Sequence, residues 1–180
     1  MPNHTATRVS VSGPLTDVNK FIEFVKGETL FDFNKIIPMP EELENTRSPA
    51  LIQSQIEIDS ILRKWEEKKK IDPTEPKPWN IGITPEQSYE LISKYGANNW
   101  YDFAVAKWGT KWNCYNVGNW EVKDRDGMGE GTIYYETAWS PATPVLLSAS
   151  LMFPTLSFYQ EFDDEGGFFL GYETMKAGNL

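Results

Sequence analysis

Six carboxylates at two glycine-rich turns are the densest chemical feature of the sequence. Asp124, Asp126 and Glu130 sit in the run Asp124-Arg125-Asp126-Gly127-Met128-Gly129-Glu130-Gly131, and Asp163, Asp164 and Glu165 directly precede Gly166-Gly167. Carboxylates gathered this way can hold a hard cation or meet a basic surface. Asp124-x-Asp126-Gly127 resembles the start of a calcium loop, but an EF-hand needs its glycine at the sixth position and a helix on each side. Strand-like runs flank it here, so both clusters read as solvated tips of β-hairpins. The expectation is that the two tips form one acidic face for a basic partner, with no bound metal.

Other reactive side chains are scarce. His4 is the only histidine and Cys114 the only cysteine, so a typical zinc site cannot be assembled from them. They read as an exposed N-terminal imidazole and a small buried thiol. Arg63, Lys64, Lys68, Lys69 and Lys70 surround Trp65 and could touch a single-stranded nucleic acid, but Glu66 and Glu67 dilute the charge. A solvated helix end, where cations suit the dipole, accounts for the run more simply. Tyr135 and the tryptophans Trp108, Trp112 and Trp139 could line a pocket, though aromatics of this size usually belong to a core. No nucleophile elbow, P-loop, zinc-protease helix motif or dinucleotide fingerprint occurs. No catalytic residue and no cofactor is assigned.

The elements that must position these residues follow from periodicity. Residues 5–12 alternate, with Val9 and Val11 on one side and Arg8 and Ser10 on the other, which is a half-buried strand. Val18, Phe21, Ile22 and Val25 then keep helical spacing up to Gly27. Residues 31–40 read as extended, since Pro38 and Pro40 disfavour helix. Ser48-Pro49 is expected to start a helix carrying Ile58, Ile61, Leu62 and Trp65, and Thr84-Pro85-Glu86-Gln87 a second, by a capping box. A third covers Trp100, Phe103, Ala104 and Trp108. Residues 111–115 look like a short strand. Strands at 120–123 and 132–139 flank the first acidic tip, and strands at 156–162 and 168–175 the second. Between them Ser140-Pro141 signals a helix with Val145, Leu146, Ala149 and Met152, stopped by Pro154. Trp139 is expected to point into the core beside Ile133 and Tyr135.

This order predicts an α+β chain, a ferredoxin-like α/β plait forming one domain over 1–180 with a helical insertion at about 45–108. The net charge is −9, and residues 113–180 hold 10 acidic against 3 basic side chains. That excess opposes nucleic acid and favours basic partners. The lone cysteine excludes an internal disulfide, and no apolar run is long enough for a signal peptide or a spanning helix, so a cytoplasmic setting without membrane contact is expected.

Four blocks, Val9-Ser10-Val11-Ser12-Gly13, residues 31–40 from Phe31-Asp32-Phe33-Asn34 onward, Trp108-Gly109-Thr110-Lys111-Trp112-Asn113, and Thr137-Ala138-Trp139-Ser140-Pro141, resemble the signature blocks of the YubB-type ferredoxin-like family of phages and plasmids. Many relatives look as if they carry Trp-Cys near the start where this chain has His4-Thr5, so any role of that cysteine does not carry over. The resemblance implies a mobile-element accessory protein in a bacterial host cell. Combined with the charge, the expectation is a non-enzymatic protein that binds a host protein with a basic surface, such as a component of a defence system. A nucleic-acid-binding plait and a small-molecule-binding or hydrolytic domain are the alternatives. The sequence leaves the oligomeric state open.

Overall fold

The computed structural model describes residues 3–180. In chain order the elements are β1 (His4–Pro14), α1 (Leu15–Phe24), α2 (Glu41–Glu44), α3 (Gln55–Ile71), α4 (Pro85–Tyr95), α5 (Trp100–Trp108), β2 (Glu121–Arg125), β3 (Met128–Ala138), α6 (Thr143–Met152), β4 (Ser157–Asp164) and β5 (Leu170–Lys176). They divide into two compact units, one made of the chain up to Pro38 with Ala104–Leu180, the other of Met39–Phe103. The insertion expected at 45–108 overlaps the second unit.

In the first unit the strands lie in the order β2-β3-β1-β4-β5, every neighbour antiparallel. The order β2-β3-β1-β4 with α1 and α6 as crossovers is the ferredoxin-like plait, and β5 extends it by one edge strand. Alternation explains how the helices dock. Thr5, Thr7, Val9 and Val11 of β1 are buried on one face, beside Ile133 and Tyr135 of β3 and Phe158 and Gln160 of β4. Val18, Phe21 and Ile22 of α1 and Val145, Leu146 and Ala149 of α6 are buried as well. Phe21 meets Phe153 and Phe158 edge-on at 5.2 and 5.1 Å, a favourable aromatic geometry. Gly131 lets α1 approach, since a Cβ there would lie 3.1 Å from Ile22 Cδ1.

Local starts and stops differ from the sequence expectation in instructive places. The Thr84 capping box forms as read, with Gln87 N–H donating to Thr84 Oγ1 at 3.2 Å and Thr84 N–H to Gln87 Oε1 at 2.9 Å. Ser48-Pro49, however, does not open α3. Ser54 is the cap, because Ser54-x-x-Glu57 supplies a second complete capping box. Ser140-Pro141 likewise precedes the helix start, as Ser140 Oγ donates to Gly109 O and α6 begins at Thr143 with Pro144 in its first turn. Residues 31–40 are not extended throughout, since the Asp32 carboxylate caps a 3₁₀ turn over Phe33–Lys35. Residues 111–115 contribute only one bridge, Tyr115 to Glu136.

The second unit is sparsely buried. Leu43, Ile58, Ala97 and Phe103 are buried, whereas Ile56, Ile71 and Trp79 are exposed. A parallel bridge joins Ile52 to Ile83, and Lys94 Nζ pairs with Glu42 Oε1 at 2.8 Å. Lys68, Lys69 and Lys70 occupy the last turn of α3, where the sequence placed a solvated basic end, and Lys69 lies 5.0 Å over the Trp65 ring.

Candidate binding surface

The side chains that β1 does not send toward the helices build the most developed surface of the first unit. Arg8, at the centre of β1, is paired across the sheet with Tyr134 on β3 and Glu161 on β4, and Glu161 in turn with Tyr172 on β5. Directly opposed residues share a face, so these four stand together on the side away from α1 and α6. Arg8 Nη1 donates to Glu161 Oε1 at 2.8 Å, and its guanidinium carbon lies 6.0 Å from the Tyr134 ring. Tyr159 OH donates to Glu161 Oε2 at 3.3 Å, and the Tyr159 and Tyr172 rings are 6.2 Å apart, tilted by 30°. Asn116 Nδ2 donates to Glu136 Oε2 at 2.8 Å along the same surface. Together with Asp163 and Leu170 these groups line a shallow cavity of about 600 Å³.

The hydrogen bond from Arg8 holds the Glu161 carboxyl below the usual carboxylate range, and the same bond raises the guanidinium further. Tyr159 is pushed up by burial and then by the Glu161 charge. The cavity therefore presents an ion pair already closed on itself, the rings of Tyr134, Tyr159 and Tyr172, and the further acidic side chains Glu136 and Asp163. Such a surface can stack planar or aliphatic groups and attract cations.

The six carboxylates predicted as one face are not one face. Leu15 N–H donates to Gly127 O beside the C-terminal end of β1, whereas Glu165 N–H donates to His4 O at its N-terminal end. Eleven residues of β1 separate the tips, roughly 30 Å at about 3.3 Å per residue. That exceeds a Debye length of about 8 Å several-fold, so Asp124, Asp126 and Glu130 act independently of Asp163, Asp164 and Glu165. The roles inside each tip also differ. Asp164 is buried and accepts from Gly166 N and Phe168 N, and Asp124 accepts from Gly127 N, so both carboxylates build turns. Asp163 reaches the cavity of the open face. Among the described residues no three or more His, Cys, Asp or Glu side chains converge as a metal-holding group.

Trp108, Trp112 and Trp139 do not form one cluster of core residues either. Trp108 is buried and its indole N–H donates to Ile37 O at 2.9 Å. Trp112 and Trp139 are 39% and 41% exposed, and Lys111 Nζ sits 4.4 and 5.0 Å from their rings. Trp139 was expected inside beside Ile133 and Tyr135, but it lies one residue past β3 with φ +76, a left-handed conformation that breaks the alternation. The recognisable blocks are instead stitched to each other through their polar atoms. Asn113 Nδ2 donates to Asp32 Oδ1 at 2.7 Å, Phe33 N–H to Asn113 Oδ1 at 3.0 Å, and Thr110 Oγ1 to Ala138 O at 2.8 Å. Cys114 Sγ donates to Phe31 O, and burial followed by the Asp32 charge raises its thiol well above the ordinary range. His4 Nδ1 is hydrogen-bonded to Tyr115 OH at 2.7 Å.

Residues 107–180 match the family model described as the ferredoxin-like domain in Api92-like protein. The match spans β2 to β5 and leaves out β1, the strand that completes the plait from the other side of the insertion. The chain is also similar to the crystal structure of a protein api92 from Yersinia pseudotuberculosis, at 10% identity and a TM-score of 0.51 over 99% of this chain and 96% of that one. At that identity the likeness shows the fold. Among curated proteins none matches the sequence.

Arg8, Tyr134, Tyr159, Glu161 and Tyr172 were not singled out from the sequence. The signal was there in part: Arg8 lies in the polar phase of the first alternating strand. Which strands neighbour β1 was needed to gather the others.

Proposed function

We propose that the protein works by binding, without a chemical step, and that the open sheet face of the first unit receives a partner protein through basic and apolar side chains. One observation carries this reading. Arg8 is already matched by Glu161, so Glu136 and Asp163 leave the tyrosine-lined cavity with an excess of carboxylates. Aromatic rings supply contact area at low entropic cost, and the carboxylates select cationic partners and steer their approach. With the resemblance to phage and plasmid proteins, we extend the proposal to a bacterial host protein as partner, a defence component being the case the resemblance favours.

The test compares wild type with Glu136→Gln/Asp163→Asn for retention of basic host proteins on the immobilised protein, at low and high salt. Retention should fall in the double variant and in high salt while the thermal melt is unchanged. The three open tyrosines could also stack bases, which a labelled single-stranded oligonucleotide would reveal. Tight binding of it, abolished by Tyr172→Ala, would replace this proposal with a nucleic-acid one.

A further inference from the structure

The two edges of the sheet are defended differently. β2 carries Glu121, Lys123, Asp124 and Arg125 in five residues, all exposed, which is how natural edges discourage pairing. β5 carries Leu170 and Tyr172 at 83% and 74% exposure, with no charge before Glu173. Its backbone can be assigned group by group. Asp164 N–H donates to Phe169 O, and Glu165 N–H to His4 O. Hence even-numbered residues of β4 turn their backbone groups toward β5, and odd-numbered ones toward β1. Across the β4 ladder, where Gln160 opposes Glu173, the odd-numbered residues of β5 face inward. Leu170, Tyr172 and Thr174 therefore point N–H and C=O away from the sheet. The same parity holds at Lys176, whose outward N–H and C=O are taken by Asn179 as the chain folds back.

We infer that β5 is a docking edge, where an extended partner segment alternating basic and apolar residues adds as a sixth strand. This rests on the open-face reading and specifies how the partner enters it. Three donors and three acceptors in a row provide the backbone ladder, and Leu170 and Tyr172 provide apolar neighbours on the open face. Charge chooses the occupant. Residues 157–176 hold five carboxylates and one lysine, so a second copy of this chain paired edge to edge would bring like charges together. A basic strand meets the opposite situation. It would lie roughly 10 Å from Asp163, two strand spacings of about 4.8 Å, within reach of a lysine or arginine extending across Leu170.

The experiment titrates a fluorescein-labelled peptide of alternating lysine and valine into the full chain, with an alternating glutamate–valine peptide as comparison. Thr174→Pro removes one outward donor and no bond of the β4 ladder, a place where an edge strand tolerates proline. It should weaken binding of the lysine peptide about tenfold or more, whereas Thr174→Val should leave it unchanged. Native-state amide exchange provides a reading independent of any variant. Bound peptide should slow exchange at Leu170, Tyr172 and Thr174 and leave Gly171 and Glu173 unaltered. Unchanged binding by Thr174→Pro, or no added protection at those three amides, overturns strand addition. If Glu136→Gln/Asp163→Asn still weakens binding in that case, the open-face reading stands without it. A dimer in sedimentation that Thr174→Pro dissociates would overturn the choice of partner in favour of a second copy.

Discussion

Phe21, Phe31, Phe33 and Tyr135, on the helix side of the sheet, are fully buried and pack ring against ring. On the other side Tyr134 of β3, Tyr159 of β4 and Tyr172 of β5 line one cavity, yet they surround an ion pair and remain reachable from solvent. The two faces thus use aromatic residues for different purposes. Where helices exclude water, ring packing holds the plait together. On the face away from α1 and α6, rings and carboxylates form a surface prepared for contact. Substitutions on the first face should therefore be read in stability, and those on the second in binding.

The largest separation should come from truncating a ring on each face. Phe21→Ala should cost about 3–5 kcal/mol of unfolding free energy, measured by denaturant titration. Tyr172→Ala should stay within about 0.5 kcal/mol while reducing peptide binding. A Tyr172→Ala loss as large as that of Phe21→Ala would erase the distinction between the faces.

A finer cut concerns Tyr135, whose buried hydroxyl has no hydrogen-bond partner among the described residues. Burial pushes this phenol well above its ordinary pKa. Tyr135→Phe keeps the ring and removes the desolvated oxygen, and should raise stability by about 1–3 kcal/mol. A fall in stability would show that a water satisfies the group.

Titration should also tell the faces apart. The Cys114 thiol, raised by burial, stays protonated when folded, so its contribution is intact below the unfolded thiol pKa and is lost as pH rises above it. In the folded protein a thiol reagent should react with it only on unfolding. Glu161 runs oppositely. Its lowered pKa favours folding above the unfolded carboxylate range and loses that benefit as pH falls through the folded value. The pair is partly exposed, so Arg8→Ala should change stability by less than about 1 kcal/mol.

Periodicity carried the reading of the fold a long way. The alternation around Val9 and Val11, the helical spacing of Val18, Phe21 and Ile22, and the Thr84 capping box all appear in the structure as local physics requires. A competing cap displaced the start of α3, because Ser54 and Ser48 look alike until Glu57 is seen to close the box. At α6 the Ser140 hydroxyl instead donates to Gly109 O, and the helix begins at Thr143 without a side-chain cap. Trp139 misled for a related reason: strand alternation gives no warning of the left-handed residue that ends the strand. The site was harder to read. Acidic turns are conspicuous in a sequence, but their distance apart depends on strand order, and β1 runs the length of the sheet between them. The open-face tyrosines lie on three separate strands and become a group only through the cross-strand register.

The most direct test of the open face as the binding surface is to map amide and tyrosine ring shifts by NMR while the lysine–valine peptide is added. The account predicts that perturbations concentrate at Arg8, Tyr134, Tyr159, Glu161, Leu170 and Tyr172. Shifts confined to the turn around Asp124 and Asp126, or to Met39–Phe103, would contradict it.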